Sequence, residues 1–212
     1  MTKIQNGVKR TRMQNESSST RLFESDFCEW FTHVHHNTPF FLFGPVFIGC
    51  LTYASLVYKF STLQIALLAF SGCLIWSLFE YFMHRVLFHY EPTSNWGKRI
   101  LYLFHGIHHD FPNETDRLVM PSITSLAIAS FIFAVHYLLL GPAGIPMFAG
   151  FLAGYLYYEF VHYSVHNSKK KIGWTEAQRK AHLKHHFQDA TNRFGVTSPL
   201  WDYIFGTYKE KV

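Results

Sequence analysis

Charge is scarce in this sequence. Only 16% of its 212 residues are Asp, Glu, Lys or Arg, against about a quarter in an ordinary soluble domain. Cysteine is scarcer. Cys28, Cys50 and Cys73 form no Cys-x-x-Cys and match no metal spacing, which argues against a thiolate zinc site; their odd count argues against a disulfide framework. Buried, inert thiols are expected instead. Residues 1–26 lack a hydrophobic stretch, so no secretory signal peptide is expected and the first insertion signal has to be a spanning segment. His-Glu-x-x-His, the helical zinc-hydrolase motif with its general base, is also missing. The net charge of +5 is spread over segments that flank apolar runs. That distribution points to a membrane surface and away from nucleic acid.

What the chain has in quantity is apolar length and histidine. Four runs, Phe40–Tyr58, Thr62–Phe79, Val119–Leu140 and Ala143–Phe160, show no polar face. Each approaches the ~20 residues needed to cross a ~30 Å hydrocarbon core, and an all-round apolar helix needs lipid to cover it. Only Lys59-Phe60-Ser61 separates the first two, and Gly141-Pro142 the last two. The expected fold is therefore an all-α membrane protein with four transmembrane helices in two hairpins. If both hairpins enter from one side, 18 of the 19 Lys and Arg residues share that side and Lys59 stands alone opposite, the asymmetry of a cytoplasmic face. Gly44-Pro45 is expected to kink the first span, and Pro121 to occupy the first turn of the third. Residues 1–38 read as a basic, disordered tail to about Ser25, followed by an interfacial helix over Leu22–Phe31; residues 39–212 read as one domain. Lys169-Lys170-Lys171 is expected to meet anionic headgroups.

Ten of the fourteen histidines fall in four short clusters on the expected cytoplasmic side: His84 with His89; His105, His108 and His109; His162 with His166; and His182, His185 and His186. Each half of the chain reads as a hairpin, a spaced pair, then His-x-x-His-His, and 16 residues separate His89 from His105 and His166 from His182. On a helix His105 shares a face with His108 and His109. Imidazole suits zinc, copper, iron and nickel, and at about four to six ligands per ion ten histidines suit two ions. Adjacent residues project about 100° apart on a helix, so His108/His109 and His185/His186 are each expected to divide between the ions. A carboxylate-bridged di-iron bundle fits poorly, because only Glu159-Phe-Val-His162 offers its Glu-x-x-His element. Glu80, Glu159, Asp110 and Asp189 are instead expected to accept imidazole N–H groups. His33, His35 and His36 stand outside the pattern, and mid-membrane His136 is expected to be a packed, hydrogen-bonded residue. A metal transporter would need more ionisable groups within its spans. The stronger reading is oxygen chemistry on a lipid at the membrane surface, at a histidine-rich site for two ions.

The same stretches resemble the fatty acid hydroxylase superfamily of membrane di-iron oxygenases, which includes sterol desaturases and carotenoid hydroxylases. They are Glu80-Tyr-Phe-Met-His84-Arg-Val-Leu-Phe-His89, the run from His105 to Pro121, Gly154 to His166, His182-Leu-Lys-His185-His186 and Phe194 to Thr207. Asp116-Arg117-Leu-Val-Met-Pro121 brings the resemblance closest to the sphingolipid fatty acid 2-hydroxylases. The resemblance implies a four-helix membrane anchor under a cytosolic helical cap that holds a histidine-rich dinuclear metal site, with the ten clustered histidines as metal ligands for two iron ions and zinc able to occupy the sites. It also implies insertion of one atom of O2, the co-substrate, beside the carboxyl carbon of a fatty acid or ceramide-type lipid. The His-Pro-Gly-Gly motif of a fused cytochrome b5 domain is not found, so a separate cytochrome b5-like or ferredoxin-type protein is the expected electron donor. Arg117, Trp201 and Tyr203 are expected to bind substrate, although Arg117 also suits a buried ion pair and the aromatics an interfacial belt. The expected location is a bacterial inner membrane or the endoplasmic reticulum, with the site on the cytoplasmic face. The rivals are a sterol or carotenoid hydroxylase or desaturase, and a non-catalytic membrane metal-binding protein.

Overall fold

A computed structural model of the chain describes residues 21–167 and 173–209, the side chain of Trp174 excepted. Most of the expected tail, and the Lys169–Lys171 run, lie outside the described residues. All regular structure among those residues is helical. Ser25 caps a short helix, α1 (Asp26–Trp30), by accepting the Cys28 N–H, and leaves Phe27 and Trp30 each 69% exposed. Helix α2 (Thr38–Leu56) continues through Pro45 without ending there. Ser61 and Gln64 cap each other's backbone N–H groups, at 3.3 and 2.8 Å, and so start α3 (Thr62–Phe82). A π-helical turn, Met83–Phe88, prolongs α3. Next come α4 (Asn95–Leu101), a second π turn over Tyr102–Gly106, and α5 (Ile107–Asp110). The chain closes with α6 (Ser122–Leu140), α7 (Gly144–Asn167), α8 (Glu176–Phe187) and α9 (Leu200–Ile204).

Among the described residues, three stretches are long and apolar enough to cross a membrane: Thr38–Leu56, Thr62–Phe88 and Ser122–Asn167. A straight helix over the third would run about 69 Å. Instead the chain turns at Gly141–Ala143, and α6 lies against α7. Phe133 meets Phe148 at 5.2 Å and His136 meets Phe151 at 5.6 Å, both between ring centroids. His136 is buried and donates from Nδ1 to the Ile132 carbonyl at 2.9 Å, as a packed residue should. One limit differs from the apolar runs. Pro121 precedes α6 in extended conformation and does not join its first turn; the residue before a proline avoids α conformation, so a helix from Val119 through Pro121 is disfavoured. Leu118 and Val119 pack on Val34 and Tyr163 instead. Helices α3 and α7 outlast their apolar runs and carry His84, His89, His162 and His166 beyond them.

The histidine-bearing helices α3 and α7 are in backbone contact. A Cβ at Gly72 would sit 1.9 Å from the Met147 carbonyl oxygen, and one at Gly150 would sit 1.8 Å from that of Ala69. Close approach through small residues is how helices associate where no hydrophobic effect separates them from lipid. Gly150→Ala is therefore expected to force the helices apart at a cost of about 1–3 kcal/mol. Thermal unfolding in detergent should show a lower midpoint with unchanged helix content; an unaltered midpoint would contradict this packing.

Candidate metal centre

The two spaced pairs differ in a way that the backbone resolves. His162 and His166 are four apart on the regular α-helix α7, so they share a face. His84 and His89 are five apart, and the chain between them is the π turn Met83–Phe88. In a π turn hydrogen bonds join residues five apart, and such turns recur at functional sites. The extra residue is thus absorbed where the second ligand must return to the first one's face. The second π turn ends at Gly106, between His105 and the α5 residues His108 and His109.

All ten clustered histidines converge, and they do so as two groups of five. His84, His89, His105, His109 and His185 form one; His108, His162, His166, His182 and His186 form the other, with the ligand atoms of each group within 4.8 Å of one another. His108 and His109 therefore part company, as do His185 and His186. The division crosses the halves of the chain: each half supplies four rings to its own group and one, His108 or His185, to the other. The groups adjoin where the His109 and His186 rings stack at 4.2 Å.

The inward-facing atoms are Nε2. These nitrogens lie 3.1 Å apart for His89–His185 and 2.9 Å for His105–His109. In the second group they lie 2.9 Å apart for His108–His162, 3.0 Å for His166–His182 and 3.1 Å for His182–His186. A cation 2.0–2.1 Å from each imidazole nitrogen, with ligands at right angles, sets neighbouring nitrogens about 3.0 Å apart. Buried His84 Nε2 has no hydrogen-bond partner in the chain. Spacing and donor set both fit one metal ion per group.

The carboxylates expected to hold imidazoles do other work. Buried Glu80 accepts the backbone N–H groups of Val196 and Thr197 on Oε1, at 2.6 and 2.9 Å, and the Thr197 hydroxyl on Oε2 at 2.5 Å. Glu159, also buried, lies beside the Tyr155 hydroxyl, and Asp110 is exposed and faces the Tyr102 hydroxyl. Asp189 accepts from Thr191 and from the Asn192 side chain. The imidazole acceptors are backbone carbonyls: His84 Nδ1 donates to Phe194 O at 2.6 Å, and His185 Nδ1 to Asn192 O at 2.7 Å. A backbone acceptor leaves no residue-type signature. Asp202, not singled out in the sequence, carries that loop from the other side by accepting Phe194 N–H and Gly195 N–H, each at 2.8 Å.

Arg117 lies in a buried ion-pair cluster. Its side chain is 3% exposed and is held by Glu29 and Glu114, while His33 Nε2 accepts from it at 2.9 Å and His33 Nδ1 lies 2.5 Å from Asp116. The Asp116-Arg117 pair thus buckles the segment ahead of α6 to α1. His35 and His36 meet in a tilted contact, and His36 stacks on Tyr163; these rings stand apart from both five-histidine groups. Trp201 donates from Nε1 to Ser77 Oγ at 3.0 Å, and exposed Tyr203 meets Tyr208. A cavity of about 330 Å³ opens between α2 and α7, with Glu159, His36 and Tyr163 in its wall.

Burial and then repulsion from neighbouring imidazoles keep these rings neutral. His89 is brought down to about 4 and His109 to about 3. Burial takes His185 to about 4, and His105, His108 and His182 lie well below the usual histidine range. In the unfolded chain these rings protonate near pH 6.5. Below that pH the unfolded state binds more protons, so the stability of the metal-free fold falls as pH drops from about 6.5 towards 3. The unfolding midpoint of the metal-free protein should be level above about pH 7 and decline steadily below about 6.5. A level profile down to about pH 5 would show that the rings are not held neutral.

Comparison with known proteins meets this geometry. The family model described as Fatty acid hydroxylase matches residues 69–207. A dihydroceramide fatty acyl 2-hydroxylase of Arabidopsis thaliana is 35% identical over 191 residues, covering 88% of this chain and 79% of the relative. A ceramide very long chain fatty acid hydroxylase of Schizosaccharomyces pombe is 34% identical over 212 residues, covering 94% of this chain and 58% of the relative. The solved structure of full-length scs7p, in which only the hydroxylase domain is visible, superposes with a TM-score of 0.82 at 32% identity, covering 87% of this chain and 70% of that one. The matched residues include every member of both histidine groups and the loop that receives their N–H bonds, and the chain belongs to the fatty acid hydroxylase family.

Proposed function

We propose that this chain hydroxylates the 2-position of a fatty acyl chain, free or within a ceramide-type lipid, and that its two five-histidine groups each hold one iron ion. The observation that carries this reading is the convergence of ten neutral imidazoles at metal-ligand spacing, in a family whose relatives include dihydroceramide fatty acyl 2-hydroxylases. His84, His89, His105, His109 and His185 would hold one ion; His108, His162, His166, His182 and His186 would hold the other. Zinc suits the same nitrogens. When bound, the ions supply reductive activation of O2 and removal of a hydrogen atom from the acyl carbon. One oxygen atom enters the C–H bond and the other leaves as water, so two electrons and two protons are required. A cytochrome b5-like or ferredoxin-type partner is the proposed donor of the electrons.

The chain itself orients and shields. Its buried rings exclude water from the metal side. The outward apolar faces of α2, α3 and α6 keep the acyl chain in lipid, and α9 presents exposed Leu200, Tyr203 and Ile204 at the level of the headgroups, where aromatic residues collect. The cavity walled by Glu159 and His36 offers the polar end of the lipid a place three residues along α7 from His162. We assign four spans, with α2 and α3 as one hairpin and α6 and α7 as the other, and place the histidines on the cytoplasmic face because Lys59 alone of the basic residues falls opposite.

Two measurements test this. Expression with an electron donor should yield 2-hydroxy fatty acids in host lipids, and His108→Ala should reduce them below detection; unchanged product in that variant, or none from the wild type, would refute the activity. A membrane-impermeant maleimide added to intact cells should label Lys59→Cys and should reach Cys28 only after permeabilisation. The reverse pattern would invert the orientation.

A further inference from the structure

The two histidine groups differ on the side facing away from the ions. In the group of His84 and His185, both of those rings donate Nδ1–H to backbone carbonyls, at 2.6 and 2.7 Å. In the other group the Nδ1 atoms of His108, His162, His182 and His186 are all buried and have no hydrogen-bond partner in the chain. The two acceptor carbonyls sit on one loop, and that loop is held by two buried carboxylates. Asp202 takes the N–H groups of Phe194 and Gly195, and Glu80 takes those of Val196 and Thr197, so four consecutive amides are pinned. Asp202 also accepts the Thr207 hydroxyl at 2.7 Å, and Tyr81, on the helix that carries Glu80, meets the same hydroxyl at 3.0 Å. Asp189 braces Asn192 through its side chain at 2.8 Å. Nothing equivalent stands behind the second group among the described residues.

We propose that the two ions are held unequally, and that Glu80 and Asp202 are positioning residues for one ion only, the one bound by His84, His89, His105, His109 and His185. The inference rests on the metal-binding reading above. An imidazole whose Nδ1–H is donated to a fixed carbonyl is locked in the tautomer that presents Nε2, its ring is aimed, and its basicity rises; losing such a partner typically costs 10–100-fold in metal affinity. The clamp works through the loop: if four amides lose their anchors, two carbonyls lose their place, and two rings of the first group lose their aim. The second group has no such anchors to lose. Its ion is the one that leaves first.

The test is chelator competition on the full-length protein, purified in detergent and loaded with zinc, with zinc per chain read by mass spectrometry. The wild type should bind two zinc ions and release them in two steps separated by about 10–100-fold in chelator concentration. His166→Ala should weaken the easier step and His89→Ala the harder one. Asp202→Asn turns an amide NH2 towards a backbone N–H and should weaken only the harder step, by about 10–100-fold. Glu80→Ala should do the same, and Glu80→Gln, which keeps an acceptor for Val196 and Thr197, should restore it. A general loss of structure would weaken both steps, so selectivity separates positioning from folding. Release of both ions in one step, or equal weakening of both by Asp202→Asn, overturns the proposal and leaves the metal-binding reading intact. A wild-type protein that binds no zinc or iron overturns both. If the clamp variants fail to fold, the two wild-type steps and their assignment by the ligand variants still decide.

Discussion

Ten imidazoles stand in two groups of five, buried or half-buried, with neighbouring Nε2 atoms about 3 Å apart and no carboxylate among them. Left to themselves these nitrogens repel, and protonating them in place puts like charges side by side in a poorly solvated interior. A cation in the middle of each group removes the conflict, since the ligands must be deprotonated to bind and are already neutral here. The remainder of the fold supplies rigidity against that repulsion. Backbone contact of α3 with α7 at Gly72 and Gly150 fixes two of the ligand-bearing helices. The π turn at Met83–Phe88 brings His89 back beside His84, and the loop pinned by Glu80 and Asp202 holds the backs of His84 and His185.

Each half of the chain repeats the same order of apolar runs, histidine pair and histidine triplet, and a simple duplication would give each half its own site. The structure departs from that in one respect, the trade of His108 for His185. Each group then contains four rings from one half and one from the other, and the halves meet through ligand sharing as well as through helix packing. The stacking of His109 on His186 lies on the seam between the groups.

Local patterns were legible in the sequence and remote partners were not. Apolar length marked the helices because hydropathy is a property of each run by itself; it missed one end, where Pro121 delayed α6, while the histidine pairs after the second and fourth runs marked the continuation of α3 and α7. The histidine set, and the parting of His108 from His109, followed from spacing on a single helix. The five-residue gap between His84 and His89, against four between His162 and His166, was a visible sign of the π turn. Glu80 was misread because its partners are backbone amides at Val196 and Thr197, more than a hundred positions away. Arg117 suited a buried ion pair as well as a substrate, and the partners that decide between them, Glu29 on α1 and His33 just after it, lie more than eighty positions away. Asp202 drew no notice, since a lone aspartate beside a tryptophan carries no pattern, and the carbonyls of Asn192 and Phe194 could belong to any residue type.

The trade of His108 for His185 bears on how the protein is made. As the polypeptide emerges from the ribosome, the first half presents four of its five nitrogens and waits for a ring some eighty positions later; the second half, once made, needs one that arrived long before. Neither coordination sphere closes until almost the whole scaffold has been synthesised and has come together. Both five-histidine groups thereby stay incomplete while their surroundings are still open to water.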